Sequence, residues 1–185
     1  MTEASPRPPQ TIDVGSAILR RWRRADLDAA YAATSESHDH LRPWMPWAEA
    51  ISREGTAVYL ADSEANWDKG TEFNYAIIVD GEIAGSAGLM ARSGPGVLEI
   101  GYWVHQDYVR RGLATAAARA LTDAAFELPG IEHVEIIHDE LNDASEGIPR
   151  KLGFTMVGRC QMENPPSAGT GIGVVWRLDK PERPG

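Results

Sequence analysis

Apolar residues along the chain fall into short runs of two periods, separated by glycine and proline. Gly15 to Arg23 reads as a first strand, and Ala25 to Thr34 as a helix with Leu27, Ala30 and Tyr31 at helical spacing. A second helix is predicted over Ser52 to Lys69, burying Val58, Leu60, Ala61, Ala65 and Trp67 and ending at Gly70. Asn74 to Val79 and Ile83 to Met90 flank Asp80-Gly81, a pair that accepts the positive dihedrals of a tight hairpin turn. Beyond Gly94-Pro95-Gly96, Val97 to Val104 makes a third antiparallel strand. From Leu113, the residues Ala117, Leu121, Ala124 and Leu128 share one helical face, from which Phe126 points away. Ile131 to Ile137 is again a strand. Strand, helix and strand in that order imply a right-handed crossover with parallel neighbours, so the sheet is expected to be mixed.

The remaining segments are less regular. A helical stretch between Asn142 and Leu152 closes at Gly153, in the position of a left-handed cap. Pro149 cannot donate to the carbonyl of Ser145, so a kink is expected, with Pro149 opening a second short helix. Phe154 to Cys160 and Gly171 to Leu178 finish the sheet. Repeated proline marks residues 1 to 13 and 180 to 185 as flexible tails around one domain at 14 to 179. The segment Leu41-Arg42-Pro43-Trp44-Met45-Pro46-Trp47 cannot continue a helix, and its tryptophans are too large to leave wholly exposed. That loop is expected to fold over something.

Composition narrows the partners. The chain of 185 residues can bury a core without disulfides, and its single Cys160 suits a reducing compartment, so a cytoplasmic protein is expected. Thr2 to Gln10 lacks the apolar core of a signal peptide, and no apolar run is long enough to span a membrane. A net charge of -9 repels nucleic-acid phosphates and favours cationic substrates. Arg20, Arg21, Arg23 and Arg24 around Trp22 read as a solvated strand face. His38-Asp39-His40 has no partner cluster, so it is assigned to a polar loop and no metal is expected. Monomer and homodimer both fit.

Gly112 lies between a strand and a helix, where unpaired N–H groups and the helix dipole favour an anion. Arg110 and Arg111 add positive charge to an otherwise acidic chain. Ile100 to Tyr108, followed by Arg110-Arg111-Gly112-Leu113-Ala114, resembles the cofactor motif of the GNAT acetyltransferase family. Asn142-Asp143-Ala144-Ser145 with Lys151-Leu152-Gly153-Phe154 is similar to that family's second motif, at the expected spacing. The loop from Leu41 to Trp47 resembles the substrate-side loop of the RimJ/RimL-type group, whose members acetylate amino termini of ribosomal proteins. Val109 is a departure, since the family usually has Gln or Arg there.

The resemblance covers residues 15 to 178 and implies an α/β (α+β) fold of the GNAT acyl-CoA N-acyltransferase type. Its seven-stranded, mostly antiparallel sheet is flanked by helices and splays between parallel fourth and fifth strands. Acetyl-CoA is the implied cofactor. Tyr102, Trp103 and Val104 would line the gap; Val109, Arg110, Arg111, Gly112, Leu113, Ala114 and Thr115 would cradle the pyrophosphate; Asn142, Ser145 and Lys151 would follow from the second motif. Asn142 bonds either the pantetheine or its own loop. Ser145 is the implied general acid, although a serine at a helix start also serves as a cap. Glu99, in an apolar strand where burial raises a carboxylate pKa, is the candidate base, against the alternative of a solvated or paired carboxylate. His138, Asp139 and Glu140 are rivals. Tyr31, Trp44 and Trp47 are candidate walls of an acceptor site, whereas Trp67 is assigned to the core.

The reaction expected is acetyl transfer to a primary amine, first of all a protein amino terminus. The same residues suit aminoglycosides, polyamines or amino acids. A non-catalytic acyl-CoA-binding sensor is a further alternative, which the intact Asn142 and Ser145 disfavour.

Overall fold

The chain enters its sheet earlier than the proline content implies. Thr11–Asp13 (β1) pairs antiparallel with Ile18–Arg21 (β2), inside the segment assigned to a tail. The prolines end at Pro9, so the following residues keep their N–H groups for pairing. Tyr75 anchors the approach by donating its hydroxyl to the Pro9 carbonyl at 2.7 Å, and Arg21 N–H donates to the Gln10 carbonyl at 2.7 Å. The computed structural model describes residues 6–182, so the outer ends of both expected tails lie outside the described residues.

Leu27–Glu36 (α1) follows a 3-10 turn at Arg24–Asp26. His38–Leu41 (α2) is one helical turn where a polar loop was expected, and Pro46–Ala50 is a second 3-10 turn. Arg53–Lys69 (α3) starts where Ser52 Oγ accepts from Gly55 N–H at 3.0 Å and stops at Gly70, whose φ of 76° is left-handed. Its buried stripe is Leu60, Ser63 and Trp67, three and four residues apart, whereas Val58 lies off that stripe and is 60% exposed. The expectation that Val58 and Ala65 are buried therefore fails; Trp67 is in the core, edge-on to Phe73 and Tyr75.

Asp80 and Gly81, at φ 51° and 87°, join Glu72–Val79 (β3) to Glu82–Met90 (β4). Val97–Val104 (β5), Leu113–Phe126 (α4), His133–Asp139 (β6), Asp143–Leu152 (α5), Thr155–Gln161 (β7) and Ile172–Asp179 (β8) complete the described chain. The sheet has eight strands in the order β1-β2-β3-β4-β5-β6-β8-β7, and β5 with β6 is its parallel pair. Seven strands were expected. The additional one is β1, which moves the parallel pair from fourth and fifth to fifth and sixth.

Helices α4 and α5 cover one face, where Leu89, Leu98, Ile100, Leu121 and Ile136 pack together. Helices α1 and α3 cover the other, around Trp22, Ala30, Leu60 and Ala76. Fully burying a side chain such as Leu121 or Ile100 contributes about 2 kcal/mol. Phe126, expected to point away, is only 8% exposed, because the buried arc of α4 is broad enough to include Thr122 and Phe126 beside Leu121 and Ala125. Pro149 does not start a second helix. It sits inside a continuous α5, fully buried, and tertiary packing overrides the lost hydrogen bond. Three of the four arginines around Trp22 are ion-paired, Arg20 to Asp26, Arg21 to Asp68 and Arg24 to Glu64, but they do not form the expected solvated strand face. Arg20 and Arg21 are adjacent on β2 and largely covered, and Arg24 lies in the 3-10 turn.

Candidate active site at the open end of the parallel pair

The ladder between β5 and β6 runs from Val97↔His133 to Ile100↔Ile136 and stops. Both strands continue, β5 held by β4 as far as Val104 and β6 held by β8 as far as Asp139. Between Gly101–Val104 and Ile137–Asp139 the facing backbone edges therefore lack each other as partners, which leaves polar groups for something else to satisfy. Side chains alternate across the strand. Tyr102 and Val104 pack toward α4 and α5, while Trp103 packs toward α1 and α3, so the three predicted gap residues line it from both faces.

The link from β5 to α4 is built to present backbone. His105 Nδ1 accepts from Asp107 N–H at 3.2 Å, which leaves Nε2–H to donate to Glu36 at 3.1 Å, and Ser37 Oγ accepts from Gln106 N–H at 3.2 Å. These bonds tie the link to the end of α1. Arg110 and Gly112 then take positive φ, 60° and 76°, on either side of exposed Arg111. Arg111 folds back, donating to the Asp107 carbonyl at 2.9 Å with its guanidinium 4.9 Å from the Tyr108 ring centre. Leu113 is buried and fixes the helix start, and Ala116 N–H bonds Gly112 O at 2.9 Å. No side chain caps α4, so the amides of Leu113, Ala114 and Thr115 face outward without helical acceptors. A Cβ on Gly112 would meet nothing within 4 Å, so the cradle is open. Val109, Ala114 and Thr115 are half-buried beside it.

In α5 the two polar residues of the second motif divide the work. Asn142 Oδ1 accepts from Ser145 N–H at 3.2 Å, so its side chain caps its own helix. Ser145 is thereby not the cap, and its Oγ lies 2.9 Å from the Tyr102 hydroxyl. Burial pushes Tyr102 up to about 12, against the opposing effect of the Ser145 hydrogen bond. Lys151 is exposed, six residues along α5, roughly 9 Å of helix rise from Ser145.

On the opposite face of β5, Glu99 has a side chain only 16% exposed, with Arg92 Nη2 3.4 Å away. Burial raises its pKa, Arg92 opposes this, and the neighbouring Glu135 adds to the rise. Glu135 stands opposite Glu99 in the parallel register and is 4% exposed. Arg177, its register partner on β8, donates Nε and Nη2 to the same carboxylate oxygen at 2.9 and 2.6 Å. The rival residues are occupied elsewhere. Trp176 Nε1 donates to His138 Nε2 at 2.9 Å, so Nδ1 carries the hydrogen and donates to the Asp139 carbonyl at 2.8 Å. Burial alone would raise Asp139, but N–H donors from Leu141, Gly171 and Thr170 outweigh it and hold the carboxyl below its usual range. Glu140 accepts from Thr170 and pairs with Arg159.

The sequence profile of the acetyltransferase (GNAT) domain matches residues 17–155, three quarters of the chain. The chain belongs to the GNAT acetyltransferase family. YdaF of Bacillus subtilis (strain 168), provisionally named a ribosomal N-acetyltransferase, is 26% identical over 146 residues, covering 77% of this chain and 80% of that one. Among solved structures, RimL, the ribosomal L7/L12 α-N-protein acetyltransferase in complex with coenzyme A, superimposes with a TM-score of 0.84 at 20% identity, over 91% of this chain and 97% of that one. RimJ of Mycobacterium smegmatis, in complex with CoA-disulfide, gives 0.83 at 21% identity over 94% and 90%. The microcin C7 self-immunity acetyltransferase MccE, bound to acetyl-CoA and AMP, gives 0.84 at 17% identity over 92% and 97%. These structures share the fold.

In this GNAT chain the segment from Leu41 to Trp47 meets, through Trp47, Trp103 on the face of β5 that also carries Glu99. Trp47, 47% exposed, sits with its ring centre 6.0 Å from that of Trp103. The Pro43 carbonyl accepts from Ala168 N–H at 3.0 Å, and Ser167 Oγ reaches the Arg42 carbonyl at 3.4 Å, joining this segment to the β7–β8 loop. Asp139 holds the far end of that loop through Thr170 and Gly171. Trp44 and Tyr31 are half-buried and have no ring contact with Trp103. Glu135, Arg177, His105 and Glu36 are residues that sequence reasoning missed. Their partners lie on other strands or helices, and nothing in local spacing reveals a parallel register.

Proposed function

We propose that this protein transfers the acetyl group of acetyl-CoA to a primary amine, and that the amine is the amino terminus of a protein. One observation carries the proposal: the β5–β6 ladder ends beside the uncapped amides of α4 on one flank and the Ser145 hydroxyl on the other. Donor residues and cofactor chemistry agree. Outward amides from Gly112 to Thr115 suit a diphosphate, which a helix N-terminus and adjacent positive-φ residues stabilise. The free strand edges suit an extended amide-containing arm, held as an added strand would be. Val109 removes one side-chain contact common in the family and leaves the main-chain cradle unchanged.

Acetyl-CoA supplies the activated acyl group. The chain's own residues handle the protons. Glu99 takes the proton of the acceptor ammonium, a task for which its raised pKa brings it nearer to neutrality. Backbone N–H groups of the open half of β5 polarise the carbonyl. Ser145 returns a proton to the leaving sulfur. Trp47 and Trp103 offer rigid walls to the first residues of the acceptor, and the acidic surface attracts its charge. YdaF and RimL carry names that place ribosomal proteins among their substrates or functions, which supports a protein acceptor.

The test is to incubate the protein with acetyl-CoA and a panel of amino-terminal peptides, aminoglycosides and polyamines, following thiol release and product mass. Acetylated peptide α-amine is expected. Acetylation of small amines alone would move the reading to detoxification, and cofactor binding without turnover would move it to a sensor.

A further inference from the structure

We infer that Tyr102 is a positioning residue that sets the direction of the Ser145 hydroxyl, donating its own hydrogen to Ser145 Oγ so that the serine hydrogen is free to point into the gap. The inference rests on the proposed acid role of Ser145 and adds what that role requires. Two hydroxyls 2.9 Å apart share one hydrogen bond, and either could be its donor. Were serine the donor, its only hydrogen would be spent on the phenol, with none left for a leaving group. The phenol is the stronger acid of the two, and burial keeps it protonated across the working pH range.

Two further features hold the pair in place. Asn142 takes over capping, so nothing else in α5 competes for Ser145 Oγ. Pro149 has no N–H to give to the Ser145 carbonyl, and the Tyr102 hydroxyl lies 3.5 Å from that oxygen. The phenol thus stands over the one turn of α5 that lacks its backbone donor. In the transfer step the amine nitrogen bonds the acyl carbon, the C–S bond breaks, and its electron pair leaves on sulfur. Sulfur takes the Ser145 proton, Ser145 is refilled through Tyr102, and water restores Tyr102. Of the two protons that leave the acceptor ammonium, Glu99 takes the first before attack and releases it to solvent, and the second passes from the acylated nitrogen to solvent, replacing the one drawn through Tyr102.

The experiment is a double-mutant cycle of Tyr102→Phe and Ser145→Ala, read as single-turnover rate, acetyl-CoA KM and coenzyme A Kd. Phenylalanine keeps the ring, and a thermal melt confirms the fold. Ser145→Ala is expected to slow transfer about a hundredfold, as for loss of a general acid, and Tyr102→Phe about tenfold with KM and Kd unchanged. The double variant is expected to be no slower than Ser145→Ala, because the tyrosine acts only through the serine. A wild-type rate in Tyr102→Phe, multiplying losses in the double variant, or a change confined to Kd would each overturn the inference. A wild-type rate in Ser145→Ala would instead remove the acid assignment beneath it.

Discussion

The two halves of β5 share a neighbour on one side and differ completely on the other. Val97 to Ile100 is zipped to β6, and Leu98 and Ile100 disappear into the core. Gly101 to Val104 keeps β4 and loses β6, and all four of its residues stay half-buried. The closed half places one carboxylate, Glu99, where ionisation is costly. The open half places backbone and a phenol where a ligand can reach them. Under the proposed function, the site is made by ending a ladder partway along a strand.

The strongest way to break this division is Glu99→Gln. Transfer is expected to fall about a thousandfold in single-turnover measurements, within the range for a general base. The same change should stabilise the protein. A raised folded pKa means that the native state binds more protons, so wild-type stability falls as pH rises from about 4.5 through the raised value. Glutamine avoids that loss, and its melting temperature should exceed wild type by a margin that grows over this window and persists at neutral pH.

Next in size is Asp139→Ala, at the end of β6. It strips three backbone N–H groups of their acceptor and is expected to cost roughly 3 kcal/mol in chemical denaturation. Here the folded pKa is lowered, so the contribution is present above the ordinary carboxylate pKa and is lost as pH falls through the folded value. The gap between variant and wild type should close in acid. Gly112→Ala has a smaller effect: a non-glycine residue at φ 76° costs about 1–2 kcal/mol, and relaxation of the cradle should weaken coenzyme A binding about tenfold by calorimetry.

The finest probe compares Glu135→Gln with Arg177→Gln. Removing the Glu135 charge should lower the Glu99 pKa and move the acidic limb of the pH–rate profile to lower pH. Removing Arg177 leaves Glu135 uncompensated and should move that limb the other way. Equal profiles for both variants would detach Glu99 from this row of charges.

Much of this arrangement was legible in the sequence wherever a local rule governs it. Asp80-Gly81 fixes the hairpin, Gly70 and Gly153 end helices in left-handed geometry, and Gly112 opens α4. What escaped depends on contacts between distant elements. Pro149 reads as a helix breaker until the packing of α5 against its neighbours is known, and Val58 reads as core until the stripe of Leu60, Ser63 and Trp67 is seen. Ser145 and Asn142 could each cap α5 or face the ligand, and the Asn142 cap together with the Tyr102 contact separates their uses. Glu135 and Arg177 are paired by strand register, which a single chain does not spell out.

The central claim is that coenzyme A occupies the open half of the parallel pair with its diphosphate on the amides that begin α4. A coenzyme A titration followed by amide chemical shifts tests it directly. The largest shifts should fall on Gly112 to Thr115 and on Gly101 to Val104, with little change from Val97 to Ile100. Shifts concentrated elsewhere, or none at saturating ligand, would contradict the account.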